Sequence, residues 1–123
     1  MQTILLVDDE PVMRQLFRAA LSLSDVRLIE AADGAQALEL AWEQRPELVV
    51  LDVGLPMLNG MDVCRGLKTH LPPPRVLLIT GNRETDGIDE CGADAILAKP
   101  FSPGALREEA ERLLRAGAGG LAA

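Results

Sequence analysis

The amino-acid sequence predicts an α/β fold, a doubly wound, five-stranded parallel sheet with helices on both faces, and three observations carry that reading. Five short apolar runs, each the length of a strand, punctuate the chain: Ile4 to Val7, Val26 to Ile29, Leu48 to Leu51, Val76 to Ile79 and Ala95 to Ala98. Segments of helical period separate them. Strands that alternate with single helices need crossover connections, which are right-handed and leave the strands parallel, with helices over both faces of the sheet.

The first helix follows Pro11, a residue suited to an opening helical turn, and places Met13, Leu16, Phe17, Ala20 and Leu21 at spacings of three and four. A second fits Gly34 to Gln44 and stops before Pro46. A third fits Gly60 to Thr69, ended by the run Pro72, Pro73, Pro74. The last opens with Ser102 as N-cap and Pro103 at the first helical position, and sets Leu106, Ala110, Leu113 and Leu114 on one face. The first, third and fourth apolar runs are apolar throughout, as central parallel strands are, whereas the second contains Arg27 and the fifth is Ala-rich between Asp94 and Lys99. Those two belong at the edges. The order 2-1-3-4-5, the flavodoxin-like arrangement, places them there.

With 123 residues the chain has room for one domain, and any output module lies elsewhere. We set the domain at residues 1–116 and expect 117–123, Gly and Ala without apolar period, to be a flexible tail or the start of a linker. At 48% hydrophobic and 25% charged the composition supports a packed core. Aromatic residues are confined to Phe17, Trp42 and Phe101, so no stacking platform for single-stranded nucleic acid is available, and a net charge of -7 has the wrong sign for gripping phosphate backbone. Direct nucleic-acid binding is not expected. No apolar run approaches the length of a membrane span and no basic, cleavable leader precedes the first strand, so the expected location is cytoplasmic, without membrane contact. Cys64 and Cys91 are far apart without a CxxC pattern, and His70 is the lone histidine. Both thiols are expected reduced and at least half-buried.

In open α/β sheets the ligand site lies beyond the carboxyl ends of the strands. The first strand ends in Asp8-Asp9-Glu10, the third in Asp52, the fourth in Thr80 and the fifth in Lys99-Pro100. Carboxylates from neighbouring strands repel one another, and protonation or a cation must relieve them. Mg²⁺ suits a donor set made only of oxygen, while the ammonium of Lys99 and the hydroxyl of Thr80 suit a phosphoryl group. Taken singly, each residue has an ordinary reading: acids before a helix complement its dipole, Asp52 serves a turn, Thr80 ends a strand and Lys99 is a solvated edge charge. Composition tilts the balance. The chain holds ten Arg and two Lys, yet the fifth strand ends in Lys; its acids divide nine Asp to ten Glu, yet the three candidate acids Asp8, Asp9 and Asp52 are all Asp. A compact point charge and short carboxylates fit a fixed geometry.

The ordered motifs Leu5-Leu6-Val7-Asp8-Asp9-Glu10, Leu51-Asp52-Val53-Gly54-Leu55-Pro56-Met57-Leu58-Asn59-Gly60, Ile79-Thr80-Gly81 and Gly92-Ala93-Asp94-Ala95-Ile96-Leu97-Ala98-Lys99-Pro100-Phe101 resemble the receiver domains of two-component response regulators, chemotaxis regulators among them, from about Gln2 to Arg115. The resemblance implies that Asp52 is the phosphoacceptor. It implies that Asp8, Asp9, Asp52 and the backbone carbonyl of Gly54 hold Mg²⁺, that Thr80 bonds the phosphoryl group, that Lys99 pairs with it, and that the Lys99–Pro100 peptide is cis. The implied function is a phosphorylation-dependent switch in signal transduction, self-phosphorylating from a histidine kinase, a phosphotransfer protein or a small phosphodonor, and not a turnover enzyme. The output domain or protein is unspecified.

Two other readings stay open: a receiver-like interaction module that needs no phosphate, and an Asp-nucleophile phosphatase, which wants a second acid where Gly54 stands. Four positions depart from the family pattern. Gly81 follows Thr80 where a small Ala is usual, and Ile96 stands where many relatives carry Tyr or Phe. The span from Thr80 to Lys99 is about one helical turn short and contains Gly87, so the fourth helix should be shortened or irregular. Gly54 and Asn82 stand where side chains often tune the lifetime of the phosphate. Without a ring at Ile96 an aromatic swing cannot operate, and ordering of residues 81 to 92 is the expected route for the signal.

Overall fold

The computed structural model describes residues 1–55, 58–81 and 91–116, with the backbone alone for 117–122. Strands β1 (Gln2–Val7), β2 (Val26–Ala31), β3 (Leu48–Asp52), β4 (Arg75–Thr80) and β5 (Ala95–Ala98) form one parallel sheet in the order β2-β1-β3-β4-β5. The expected order is met, with the Arg27 strand and the Ala-rich strand at the edges. All five residues of β3 are buried, while β5 alternates between half-buried and exposed, because only a central parallel strand has neighbours on both sides and helices on both faces.

Helices α1 (Pro11–Ala20), α2 (Gly34–Gln44), α3 (Gly60–Leu67) and α4 (Pro103–Ala122) complete the described elements. Side-chain alternation along the strands divides the core in two. Leu5, Val7, Val49, Leu51 and Leu78 meet α2 and α3 on one face, and Ile4, Leu6, Val50, Leu77 and Ile79 meet α1 and α4 on the other. Phe17 and Phe101 lie 6.3 Å apart in the second core.

Local chemistry sets the helix ends. Asp33 and Asn59 cap α2 and α3 by accepting from the amides of Gln36 and Met61, and the Ser102 hydroxyl accepts from the amide of Ala105 at the start of α4. Helix α3 stops at Leu67, two residues before the predicted Thr69, because the amides of Thr69 and His70 close on the carbonyls of Gly66 and Leu67 in tighter turns. The backbone of α4 continues helical through 117–122, the stretch the composition set apart as a tail.

The Lys99–Pro100 peptide is cis, as expected, and so is Leu71–Pro72, which was not. Cys64 and Cys91 are both buried and are not joined in a disulfide. No described helix is long and apolar enough to cross a membrane. The expectations for a shortened fourth helix, for Asn82 and Gly87, and for ordering of 81 to 92 fall on residues 82–90, outside the described residues.

Candidate functional site

Parallel register brings the carboxyl ends of β1, β3, β4 and β5 to one edge of the sheet. Val7 pairs with Leu51, Asp52 with Ile79, and Thr80 with Ala98. The amide of Lys99 then donates to the carbonyl of Thr80 at 2.8 Å, so the ladder extends one residue beyond β5 and seats Lys99 beside the end of β4. Asp8, Asp52 and Thr80 are all buried, and together with Thr3 they are the buried polar residues among those described.

Asp52 sits at the centre. Its Oδ1 accepts from the amide of Gly54 at 2.7 Å, and its Oδ2 accepts from Lys99 Nζ at 2.6 Å. Burial by itself would raise this carboxyl. The hydrogen bonds from Lys99 and Gly54, with the ammonium charge of Lys99, outweigh burial and hold it below the usual value of 3.8. Lys99 moves the opposite way: burial disfavours its ammonium, but the Asp52 carboxylate more than compensates and raises it. At neutral pH the pair is therefore a carboxylate with its own ammonium counter-charge.

Asp8 is the strained member. Its Oδ1 accepts from the amide of Glu10 at 2.8 Å, whereas its Oδ2 is buried without a hydrogen-bond partner. Burial pushes its carboxyl up to about 7 against the pull of the Glu10 amide, and the Asp52 charge adds to the rise. An orphaned carboxylate oxygen beside a second carboxylate is a place a hard cation fits, because oxygen donors of like charge are relieved by a metal between them.

The third acid differs in exposure. Asp9 is exposed, and among the described residues no group of three His, Cys, Asp or Glu side chains is arranged to hold a metal. Of the three acids expected to share one Mg²⁺ ion, Asp8 and Asp52 are the buried pair. The Gly54 amide donates to Asp52, and Ile96 is 44% exposed on β5, away from the core.

Two contributors escaped the sequence reading. Arg14 on α1 donates to the carbonyl of Asp8 at 2.6 Å and also to Glu30 on β2, which Arg18 shares, so α1 is pinned to the edge strand and to the acidic loop at once. The available signal was Glu30, a carboxylate inside an otherwise apolar run, facing two Arg one helical turn apart. Gly60 is the other. A Cβ there would lie 2.6 Å from the carbonyl oxygen of Asp52 and 2.6 Å from Val53 Cα, so only glycine lets the start of α3 press against the loop that carries Asp52.

The chain is similar to known proteins in sequence and in fold. The chain is 39% identical over 115 residues to the alkaline phosphatase synthesis transcriptional regulatory protein PhoP of Bacillus subtilis, covering 91% of this chain and 48% of that protein. It is 40% identical over 114 residues to the probable transcriptional regulator ycf27 of Cyanophora paradoxa, again covering 91% of this chain and 48% of the relative. The chain therefore spans about half the length of the curated relatives it matches. Among solved structures, the chemotaxis response regulator CheY4 of Vibrio cholerae superposes with a TM-score of 0.82 at 27% identity, covering 92% of this chain and 98% of that one. A CheY-like receiver domain protein from Methanospirillum hungatei shares the fold, with a TM-score of 0.88 at 23% identity over 97% of this chain and 98% of that one. The sequence profile of the response regulator receiver domain matches residues 4–111, and with the five-stranded order and the acidic edge described above, this chain belongs to the response regulator receiver domain family.

Proposed function

We propose that the domain is a phosphorylation-dependent switch in which Asp52 accepts a phosphoryl group from a histidine kinase, a phosphotransfer protein or a small phosphodonor. The observation that carries the reading is the buried Asp52 carboxylate, held ionised by Lys99 at 2.6 Å beside the unpartnered Oδ2 of Asp8. An ionised carboxylate is a competent nucleophile, and its position at the end of a central strand fixes the direction of attack. One Asp52 oxygen forms the new bond to phosphorus; the bond that breaks is P–N of a phosphohistidine, whose imidazole takes up a proton, or P–O of an acyl phosphate, which leaves as carboxylate. Lys99 then transfers its ammonium from the carboxylate to the phosphoryl oxygens, and the Thr80 hydroxyl adds a donor from the neighbouring strand. Asp8 and Asp52 would hold a Mg²⁺ ion, with the exposed Asp9 carboxylate and the Gly54 carbonyl as further oxygen donors; when bound, the ion would supply positive charge against the transferring oxygens.

The domain is a switch and not a turnover enzyme: the phosphoryl group stays on Asp52 while Thr80 shifts between two conformations that partners distinguish. The partners proposed are a kinase upstream and a protein output downstream. The net charge of -7 argues against direct nucleic-acid contact by this domain, and the expected compartment is the cytoplasm.

Intact-mass measurement after incubation with acetyl phosphate and Mg²⁺ tests the reading. The expected result is one phosphoryl group per chain, dependent on Mg²⁺ and absent from Asp52→Asn. Equal labelling of that variant moves the acceptor elsewhere. An unlabelled wild-type chain favours a phosphate-independent module, and consumption of donor without an adduct favours a phosphatase.

A further inference from the structure

A second site lies at the other end of the sheet. A cleft of about 780 Å³ opens where the strands begin, between Gln2, Glu47 and Arg75 at the heads of β1, β3 and β4. Along β4 it is about 16 Å from Thr80 at the phosphoacceptor edge. Its walls are apolar: Ala41 from α2, Leu113 and Leu114 from α4, and the Pro72 to Pro74 run, whose rings hold their shape without help from a ligand. At this size it exceeds a packing defect and falls among ligand clefts.

Three further features mark this end of the molecule. The chain's single tryptophan, Trp42, is 59% exposed rather than buried, with the Arg45 guanidinium 4.6 Å above its ring and His70 edge-on at 5.4 Å; Leu71, the residue before the prolines, is 83% exposed. Exposed Trp and Arg beside an apolar wall are the residue types that anchor protein contacts. Arg45 also occupies a left-handed conformation, φ 50, as the C-cap of α2, a place where glycine is the easier choice.

Charge selects the occupant. Arg45, Lys68 and Arg75 line the cleft against Glu47, with Asp94 bridging Lys68 and Arg75 from behind. Glu47 is already engaged by the amide of Thr3 at 2.7 Å. A positive surplus on a chain of net charge -7 is a local reversal of sign, and Arg45 carries it at the rim. We propose that this cleft docks an acidic peptide segment of a partner protein, its apolar side chains against Ala41, Leu113 and the prolines and its carboxylate on Arg45 beside Trp42.

The test uses a fluorescein-labelled, capped peptide of alternating glutamate and leucine, followed by anisotropy, with Trp42 emission reporting the site. Saturable binding accompanied by a Trp42 shift is expected, with no binding of the matching lysine-leucine peptide. Arg45→Gly suits the φ 50 backbone, so the fold is retained while the guanidinium is lost, and affinity should fall roughly tenfold or more. Leu71→Asp, which puts a negative charge at the rim, should weaken binding similarly without touching the core. Equal binding of the lysine peptide, undiminished binding by Arg45→Gly, or no saturable binding at all overturns the proposal. So does a dimer in sedimentation that Arg45→Gly abolishes, which would assign the cleft to a second copy of this chain.

Discussion

Replacing Asp8 by Asn should make the domain more stable in metal-free buffer, and more so as pH rises. The Asp8 carboxyl stands at about 7 against 3.8 in an unstructured chain, chiefly because it is buried. Above about pH 4 the unfolded chain therefore sheds a proton that the folded chain keeps, and folding is penalised progressively until pH passes 7. A rise of about three units is worth about 4 kcal/mol in full, of which about 2 to 3 kcal/mol accrues between pH 5 and pH 8. That window isolates the group. The lowered carboxyls of Glu30, Asp52 and Asp94 are ionised in both states there, since their stabilisation is present above the unfolded values and is lost only at lower pH. Asn keeps the side-chain oxygen that accepts from the Glu10 amide and lacks the charge. Urea unfolding in EDTA at pH 5 and pH 8 reads the effect: the wild type should lose stability across the interval and Asp8→Asn should lose far less. Equal pH slopes for the two chains would refute the assignment of the strain to Asp8. Adding Mg²⁺ at pH 8 should recover stability in the wild type and little in the variant, because the cation substitutes for the missing proton.

Lys99→Ala leaves Asp52 with its burial and without its counter-charge, and with Lys99 partly solvated the cost should be about 2 kcal/mol near neutral pH. The difference should shrink as pH falls through the Asp52 carboxyl, and urea titrations at neutral and acid pH check both parts. Gly60→Ala should destabilise by about 2 to 3 kcal/mol, because the new methyl meets backbone atoms that cannot step aside, and should also reduce acetyl phosphate labelling. Gly104→Ala is the control: nothing but the Ser102 hydroxyl comes within 4 Å, at 3.9 Å, so thermal unfolding should show it neutral or stabilised by up to about 1 kcal/mol.

Periodicity and strand-end chemistry were enough to order the sheet. Apolar runs without interruption belong in the middle of a parallel sheet, and the interruptions at Arg27 and around Ala95 to Ala98 mark its edges, so the order β2-β1-β3-β4-β5 follows from burial alone. The same order sends Asp8, Asp52, Thr80 and Lys99 to one edge, which is why those residues were legible as a set. What local pattern does not contain is the direction and spacing of side chains once the strands are in register. That Asp8 turns inward and Asp9 outward, and that Lys99 Nζ meets Asp52 across 47 residues of chain, depend on contacts between distant segments. Arg14 reaching the carbonyl of Asp8, and Gly60 pressed on the backbone of Asp52, are likewise consequences of how α1 and α3 lie against the sheet. The basal cleft is the extreme case: its walls come from residues near positions 2, 41–47, 68–75 and 113–114, each unremarkable in its own stretch, and only packing makes them one surface.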